Sequence, residues 1–351
     1  MTQQGLGAIL ISPGADLRYL IDYDAIALER LTCLVLRVGR DPILVVPRLE
    51  ALAAATSPVV AGGLEVATWG ETDDPYAIIA DLVRGVQHVG VDNHMWAEKV
   101  LRIRDAIEPA RLGLAGNVID TLRMIKDSSE IDSLKAAGAA IDSVHARVPG
   151  LLRAGVSERT IGSQIAELIL AAGHVAVDFV IVASGPNAAS PHHDVSDRLL
   201  QDGDCVVVDI GGTMPDGYRS DCTRTYHLGA PTELYAQRYA WLMDAQQRAV
   251  EFVRAGVSCE SIDSVARDSL ADHGIGELFI HRTGHGIGLE SHEQPYIVQG
   301  NTVEVQPGMA FSIEPGFYDE GLHGARIEDI VIATADGCIS VNNQSHDLVI
   351  V

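Results

Sequence analysis

Two kinds of block alternate along the first third of the chain. Residues 7–12 (GAILIS), 33–38 (CLVLRV), 42–47 (PILVVP) and 88–92 (HVGVD) are short runs rich in Val, Ile and Leu, bounded by Gly, Pro or Asp, and they predict strands. Between them, segments near 48–56, 75–85 and 95–106 carry apolar residues at helical spacing. Strands interleaved with helices predict an α/β domain with a mixed sheet over residues 1–122. This domain carries no cluster of His and carboxylates, so the chemistry is expected elsewhere.

Asp127-Ser128-Ser129-Glu130 has capping-box spacing ahead of a long Ala-rich amphipathic stretch. It predicts a helix from about 128 to 153, ended by Gly155, and a second domain over 123–351. That domain echoes itself. Arg153-Ala154-Gly155-Val156-Ser157 recurs as Arg254-Ala255-Gly256-Val257-Ser258, and in each copy Ser caps a new helix that a glycine (Gly173, Gly274) closes. Gly203-Asp204 precedes the apolar strand Cys205 to Asp209, as Gly308-Met309 precedes Ala310 to Glu314. Arg219-Ser220-Asp221 then lines up with Arg326-Ile327-Glu328. A repeat of roughly 100 residues is too long for a solenoid unit. It predicts two similar α/β halves that face each other across a shared seam.

Composition narrows the partners. A hydrophobic share of 47% with 21% charged residues is that of an ordinary globular protein and too apolar for a disordered one. Asp and Glu number 48 against 25 Lys and Arg, a formal charge of −23, and no basic stripe offsets it; nucleic acid and anionic membrane are excluded as partners. The five cysteines are scattered without a C-x-x-C pair, which fits reduced thiols rather than a disulfide scaffold or zinc ribbon. The opening MTQQGLGAIL lacks the positive segment of a signal peptide, and no apolar run reaches ~18 residues. The expectation is a soluble cytoplasmic protein.

The candidate chemistry lies in duplicated acids. Asp209 ends the run Cys-Val-Val-Val, and Glu314 ends Ala-Phe-Ser-Ile in the same way. A carboxylate closing such a strand is buried or nearly so, which is costly unless it is paired or on a metal. Asp221 and Glu328 come 12 and 14 residues later, room for a turn and a returning strand. Read as one strand, residues 325–332 put Arg326 and Glu328 on one face and Asp329 on the other. Four carboxylates gathered in one cavity cannot all stay ionised without cations, and two divalent ions would nearly neutralise them. The loop His281-Arg-Thr-Gly-His285-Gly-Ile-Gly-Leu-Glu-Ser-His292 offers a nitrogen ligand. Oxygen ligands with one imidazole suit Mn²⁺, Fe²⁺, Co²⁺ or Zn²⁺ better than Mg²⁺ or Ca²⁺. Other motifs are absent: His292-Glu293 is followed by Tyr296 where H-E-x-x-H needs a second His, and there is no G-x-G-x-x-G, P-loop or G-x-S-x-G.

At VVVDIGG (206–212), SDCTRTY (220–226), HRTGHGIGLESHEQP (281–295), FSIEPG (311–316) and RIEDIV (326–331), with ASGPNAASPHH (183–193) upstream, the sequence resembles the pita-bread metallopeptidases. The similarity is to the Xaa-Pro dipeptidase (prolidase) and Xaa-Pro aminopeptidase branch, and residues 1–122 resemble the creatinase-like N-terminal domain of those proteins. The resemblance implies a dinuclear centre, Mn²⁺ first with Co²⁺, Zn²⁺ or Fe²⁺ as alternatives, held by Asp209, Asp221, His285, Glu314 and Glu328. It implies a metal-bridging water or hydroxide as nucleophile, Glu314 as proton shuttle, and His192 and His292 beside the scissile carbonyl. Arg326 matches an arginine near the metals in the proline-specific branch, and His281 a substrate-side histidine of the aminopeptidase P relatives. The implied substrate is a proline-containing dipeptide or short peptide, and the implied assembly a homodimer. A methionine aminopeptidase is a competing reading, disfavoured by the long N-terminal domain. A catalytically inactive peptide-binding relative is another, disfavoured by the intact ligand set.

Overall fold

Runs apolar at every position, rather than at alternate ones, mark strands covered on both faces. In the computed structural model, which describes residues 1–351, they do so in two units, Met1–Arg123 and Met124–Val351. The first unit holds β1 (Ala8–Ile11), α1 (Ala15–Ile21), β2 (Cys33–Arg37), β3 (Arg40–Pro47), α2 (Ala51–Ala54), α3 (Pro58–Ala61), β4 (Glu65–Trp69), α4 (Pro75–Leu82), β5 (His88–Val91), α5 (Ala97–Ala106), β6 (Arg111–Leu114) and α6 (Gly116–Arg123). The strands form one mixed sheet in the order β4-β3-β2-β1-β5-β6. Along β1, Ala8 and Leu10 pack with Ile79 and Ile103 on one face, and Ile9 and Ile11 with Leu17 and Ile119 on the other. The two edge strands escape the periodicity reading, because β4 and β6 are mostly polar or half-exposed, as unprotected edges tend to be.

In the second unit Asp127 caps α7 (Ser128–His145), accepting hydrogen bonds from Ser129 N and Glu130 N, while Glu130 accepts from Asp127 N. The helix stops eight residues short of the expected 153. Pro149 has no N–H to give the carbonyl of residue 145, and it disfavours helical backbone at Val148, so the chain takes a short 3₁₀ turn over Val148–Gly150. Then follow α8 (Glu158–Ala171), β7 (Ala176–Ser184), β8 (Cys205–Thr213), β9 (Arg219–His227), α9 (Glu233–Phe252), α10 (Cys259–Asp272), β10 (Gly284–Gly286), β11 (Glu293–Ile297), β12 (Ala310–Ile313), β13 (Gly316–Asp319), β14 (His323–Arg326), β15 (Asp329–Ala333), β16 (Cys338–Ser340) and β17 (Val349–Ile350).

The internal echo is real in three dimensions. Gly155 and Gly256 turn at φ 84° and 85°, the left-handed region where a side chain is strained. Ser157 and Ser258 then cap α8 and α10, each accepting from the N–H three residues on. One half builds the sheet β17-β9-β8-β7, the other β11-β10-β12-β15-β16. Val206, Val208 and Ile210 of β8 pack against Ile165 and Ile169 of α8, whereas Cys205 and Val207 share a core with Phe311, Ile313 and Val331 of the other half. Period-two alternation therefore puts Asp209 on the seam.

Two strand readings need correction. β8 does not end at Asp209 but runs on to Thr213, paired with β7 and β9 along both edges. Residues 325–332 are not one strand: β14 pairs with β13 and β15 with β12, so the ladder breaks at Ile327–Glu328 as the chain changes partners. No helix is long and apolar enough to cross a membrane.

Candidate metal centre

Asp209 and Asp221 enter the seam from β8 and β9. Opposite them stand His285 on β10, Glu314 just beyond β12 and Glu328 between β14 and β15; all five line one cavity of about 870 Å³. Ligand atoms of Asp221, His285 and Glu328 lie within 4.8 Å of one another. His285 Nε2 is 3.2 Å from Glu314 Oε1 and 3.7 Å from Asp221 Oδ2. Its Nδ1–H donates to the Gly286 carbonyl at 3.1 Å, which turns Nε2 toward the acids. The glycines of the loop have a packing reason. A Cβ at Gly284 would sit 1.8 Å from the Ser312 carbonyl oxygen, so only glycine lets β10 lie this close to β12.

Neutral and cationic groups hold the acids in place. Thr223 Oγ1 donates to Glu328 Oε2 at 2.8 Å and accepts from Arg326 Nε at 3.1 Å. Arg326 Nη2 donates to Asp209 Oδ2 at 2.6 Å, and Nη1 reaches the Tyr318 hydroxyl at 2.9 Å and the Pro191 carbonyl at 3.3 Å. Ser312 Oγ accepts from His285 N and donates to Glu314 Oε1, both at 3.0 Å.

The electrostatics ask for more positive charge than these side chains supply. Burial, then the neighbouring acids, pushes Asp221 and Glu328 well above the usual carboxylate range, and burial raises Asp209 despite Arg326. Only Glu314 moves the other way. Burial would raise it, but the hydrogen bond and charge of His285, with His281 and Arg326, bring it down to about 2. His292 is pushed down to about 4 by burial and by His285 and Arg282, so it adds no charge at neutral pH. Asp209 Oδ1 and Glu328 Oε1 are buried and accept no hydrogen bond from the protein. Four carboxylates with one guanidinium bonded among them, two orphaned oxygens and an imidazole nitrogen turned toward them match the donor set of a divalent-cation site. The residues fit the expected ions.

The other expected residues border the same cavity. His192 lies exposed on the loop after β7, and the His292 ring is 4.0 Å from that of His285, centroid to centroid. His281 donates from Nδ1 to the Arg282 carbonyl at 2.7 Å, and its Nε2 accepts from the Tyr318 hydroxyl at 2.8 Å. Thr223, Ser312 and Tyr318 escaped the sequence reading. For the first two a signal existed: each is two residues along a strand from a ligand candidate, hence on the same face. Tyr318 lies four residues beyond Glu314 and gives no such sign.

Residues 132–335 match the model of Metallopeptidase family M24, and residues 1–125 that of the Creatinase/Prolidase N-terminal domain. The chain is 51% identical to the "Probable dipeptidase PepE" of Mycobacterium tuberculosis, over 99% of this chain and 92% of that one. It is 36% identical to the "Xaa-Pro dipeptidase" of Lactobacillus helveticus, over 97% and 94%. Among solved structures, dipeptidase PepE from Mycobacterium ulcerans superposes with a TM-score of 0.96 at 51% identity, covering 99% of this chain and 94% of that one.

Proposed function

The chain belongs to metallopeptidase family M24, with a creatinase/prolidase-type N-terminal domain, and from that premise we propose that it is a metal-dependent dipeptidase acting on Xaa-Pro dipeptides. Asp209, Asp221, His285, Glu314 and Glu328 hold two divalent ions, Mn²⁺ by preference over Co²⁺, Zn²⁺ or Fe²⁺. One observation carries this reading: two buried carboxylate oxygens, Asp209 Oδ1 and Glu328 Oε1, lack any protein partner in the cavity that the His285 imidazole also lines. The substrate class rests on relatives named dipeptidase and Xaa-Pro dipeptidase.

When bound, the ions supply Lewis acidity that polarises the amide carbonyl and activates a water. Glu314, on the cavity wall, is the proton acceptor and passes the proton to the departing proline nitrogen. His192 and His292, bordering the cavity, donate to the carbonyl oxygen as negative charge grows on it. Arg326 has all three nitrogens engaged and anchors Asp209. An Xaa-Pro bond offers no amide N–H, so a site that grips the carbonyl loses nothing to proline.

Hydrolysis of Ala-Pro by the purified protein should disappear on dialysis against a chelator and return with Mn²⁺ or Co²⁺. Absence of turnover on every Xaa-Pro dipeptide after metal loading would refute the proposal. Comparing Ala-Pro with a longer Xaa-Pro peptide separates dipeptidase from aminopeptidase.

A further inference from the structure

Four residues of the segment ASGPNAASPHH and its continuation, Ser184, Asn187, His193 and Ser196, make none of their hydrogen bonds to the acids of the cavity. They converge on Glu158, the first residue of α8, whose side chain has no exposed surface. Oε1 accepts from Ser184 N at 2.8 Å, Ser184 Oγ at 2.7 Å and Asn187 Nδ2 at 2.9 Å. Oε2 accepts from His193 Nε2 at 2.8 Å, Ser196 Oγ at 2.6 Å and Ser196 N at 3.2 Å. The backbone joins in: Glu158 N donates to the Arg198 carbonyl at 3.1 Å and Arg159 N to the Ser196 carbonyl at 2.9 Å.

We propose that Glu158 is a positioning residue for this site, tying down the loop that presents His192 to the cavity. The inference rests on the reading above that His192 faces the scissile carbonyl. Residues 190–198 contain no helix or strand, so their path is set by side-chain ties: those to Glu158 at 193 and 196, and beyond them the pairs Arg159–Asp197 and Arg198–Asp204. His193 is clamped directly, and His192 and the Pro191 carbonyl that receives Arg326 are its chain neighbours. Burial would raise the Glu158 carboxyl, but hydrogen bonds from Ser196, Ser184, Asn187 and His193 bring it down to about 2. It is therefore an ionised acceptor at the N-terminal end of a helix, where negative charge is favoured. The second half repeats the device. Asp263, early in α10, accepts from Thr283 N at 3.1 Å and Thr283 Oγ1 at 2.8 Å, between His281 and His285. Each loop bearing site histidines is thus held by a buried carboxylate on a neighbouring helix.

Glu158→Gln keeps the shape but turns one acceptor oxygen into a donor facing donors. In the full-length, metal-loaded protein, kcat for Ala-Pro should fall ~100-fold with KM and bound metal little changed, as expected of a misplaced group. Hydrogen exchange should speed up in residues 184–198 and not in the strands. In a His192→Ala background the same substitution should cost less than about threefold, because its target is gone. Asn187→Ala, which removes only part of the clamp, should move every readout in the same direction and serves if the glutamine variant does not fold. Unchanged exchange in the loop, wild-type turnover in the variants, or full multiplication of the two losses would each overturn the proposal. A wild type with no Xaa-Pro turnover, yet a loop that loosens on substitution, would sink the functional reading and leave the tether standing.

Discussion

Thr223 shows how much of this site rests on uncharged side chains. Fully buried, it spends its one proton on Glu328 and its lone pair on Arg326, which in turn holds Asp209. One hydroxyl thereby orients acids from both halves. Thr223→Val keeps the shape and removes both bonds. Metal affinity, read by competition with a chelator, should fall about 10–100-fold, as is usual when a partner of a ligand is lost. Stability should drop by about 1–3 kcal/mol in urea titration, the cost of stranding a buried polar group. Unaltered affinity would show that Glu328 does not need this partner. The acids were legible because charge recurring at duplicated positions is rare, and the histidines through the glycine-rich loop 281–292 and the family resemblance. Thr223, Ser312, Tyr318 and Glu158 went unread: strand alternation hinted at the first two, but what each of the four does depends on neighbours up to 105 residues away in the chain.

Strand β10 is short, and its placement depends on having no side chain at Gly284, where a Cβ would meet the Ser312 carbonyl at 1.8 Å. Backbone cannot yield as a flexible side chain can. Gly284→Ala should push β10 off β12 and carry His285 away from the acids, so the purified variant should bind less than a tenth of the wild-type metal by elemental analysis. Full metal content would mean that the strand pair has slack. Elements with a dominant local cause were readable: the Asp127 capping box, the serine caps and the two-sided apolar strands. Failures came where tertiary structure decided the matter. β8 continues past Asp209 because it is paired along both edges, and residues 325–332 divide because two different strands claim them.

Across the whole second unit, duplication was visible in the sequence as paired motifs, but not which groups it would bury. His145 is one of these. Its Nε2–H donates to the Cys222 carbonyl, its Nδ1 accepts from Tyr226, and burial with the Arg224 charge pushes its pKa down to about 3. Burial also lowers His174. Below the unfolded-state value of ~6.5 the unfolded chain takes up a proton that the native imidazole refuses. Stability from this group is therefore complete above that pH and is lost on the way down to about 3, a loss of about 2 kcal/mol by pH 5. Urea unfolding at pH 7.5 and 5 should show that loss in the wild type and about 2 kcal/mol less of it in His145→Gln. Equal acid sensitivity in both would exclude His145 as its source.

The five proposed donors are divided, two carboxylates from β8 and β9 and three groups from residues 285–328. While the chain is being made, the early pair emerges long before its complement, and two acids alone grip a divalent ion poorly. On that ligation, loading would wait until the last third of the polypeptide has folded, so that a filled centre would certify a finished molecule.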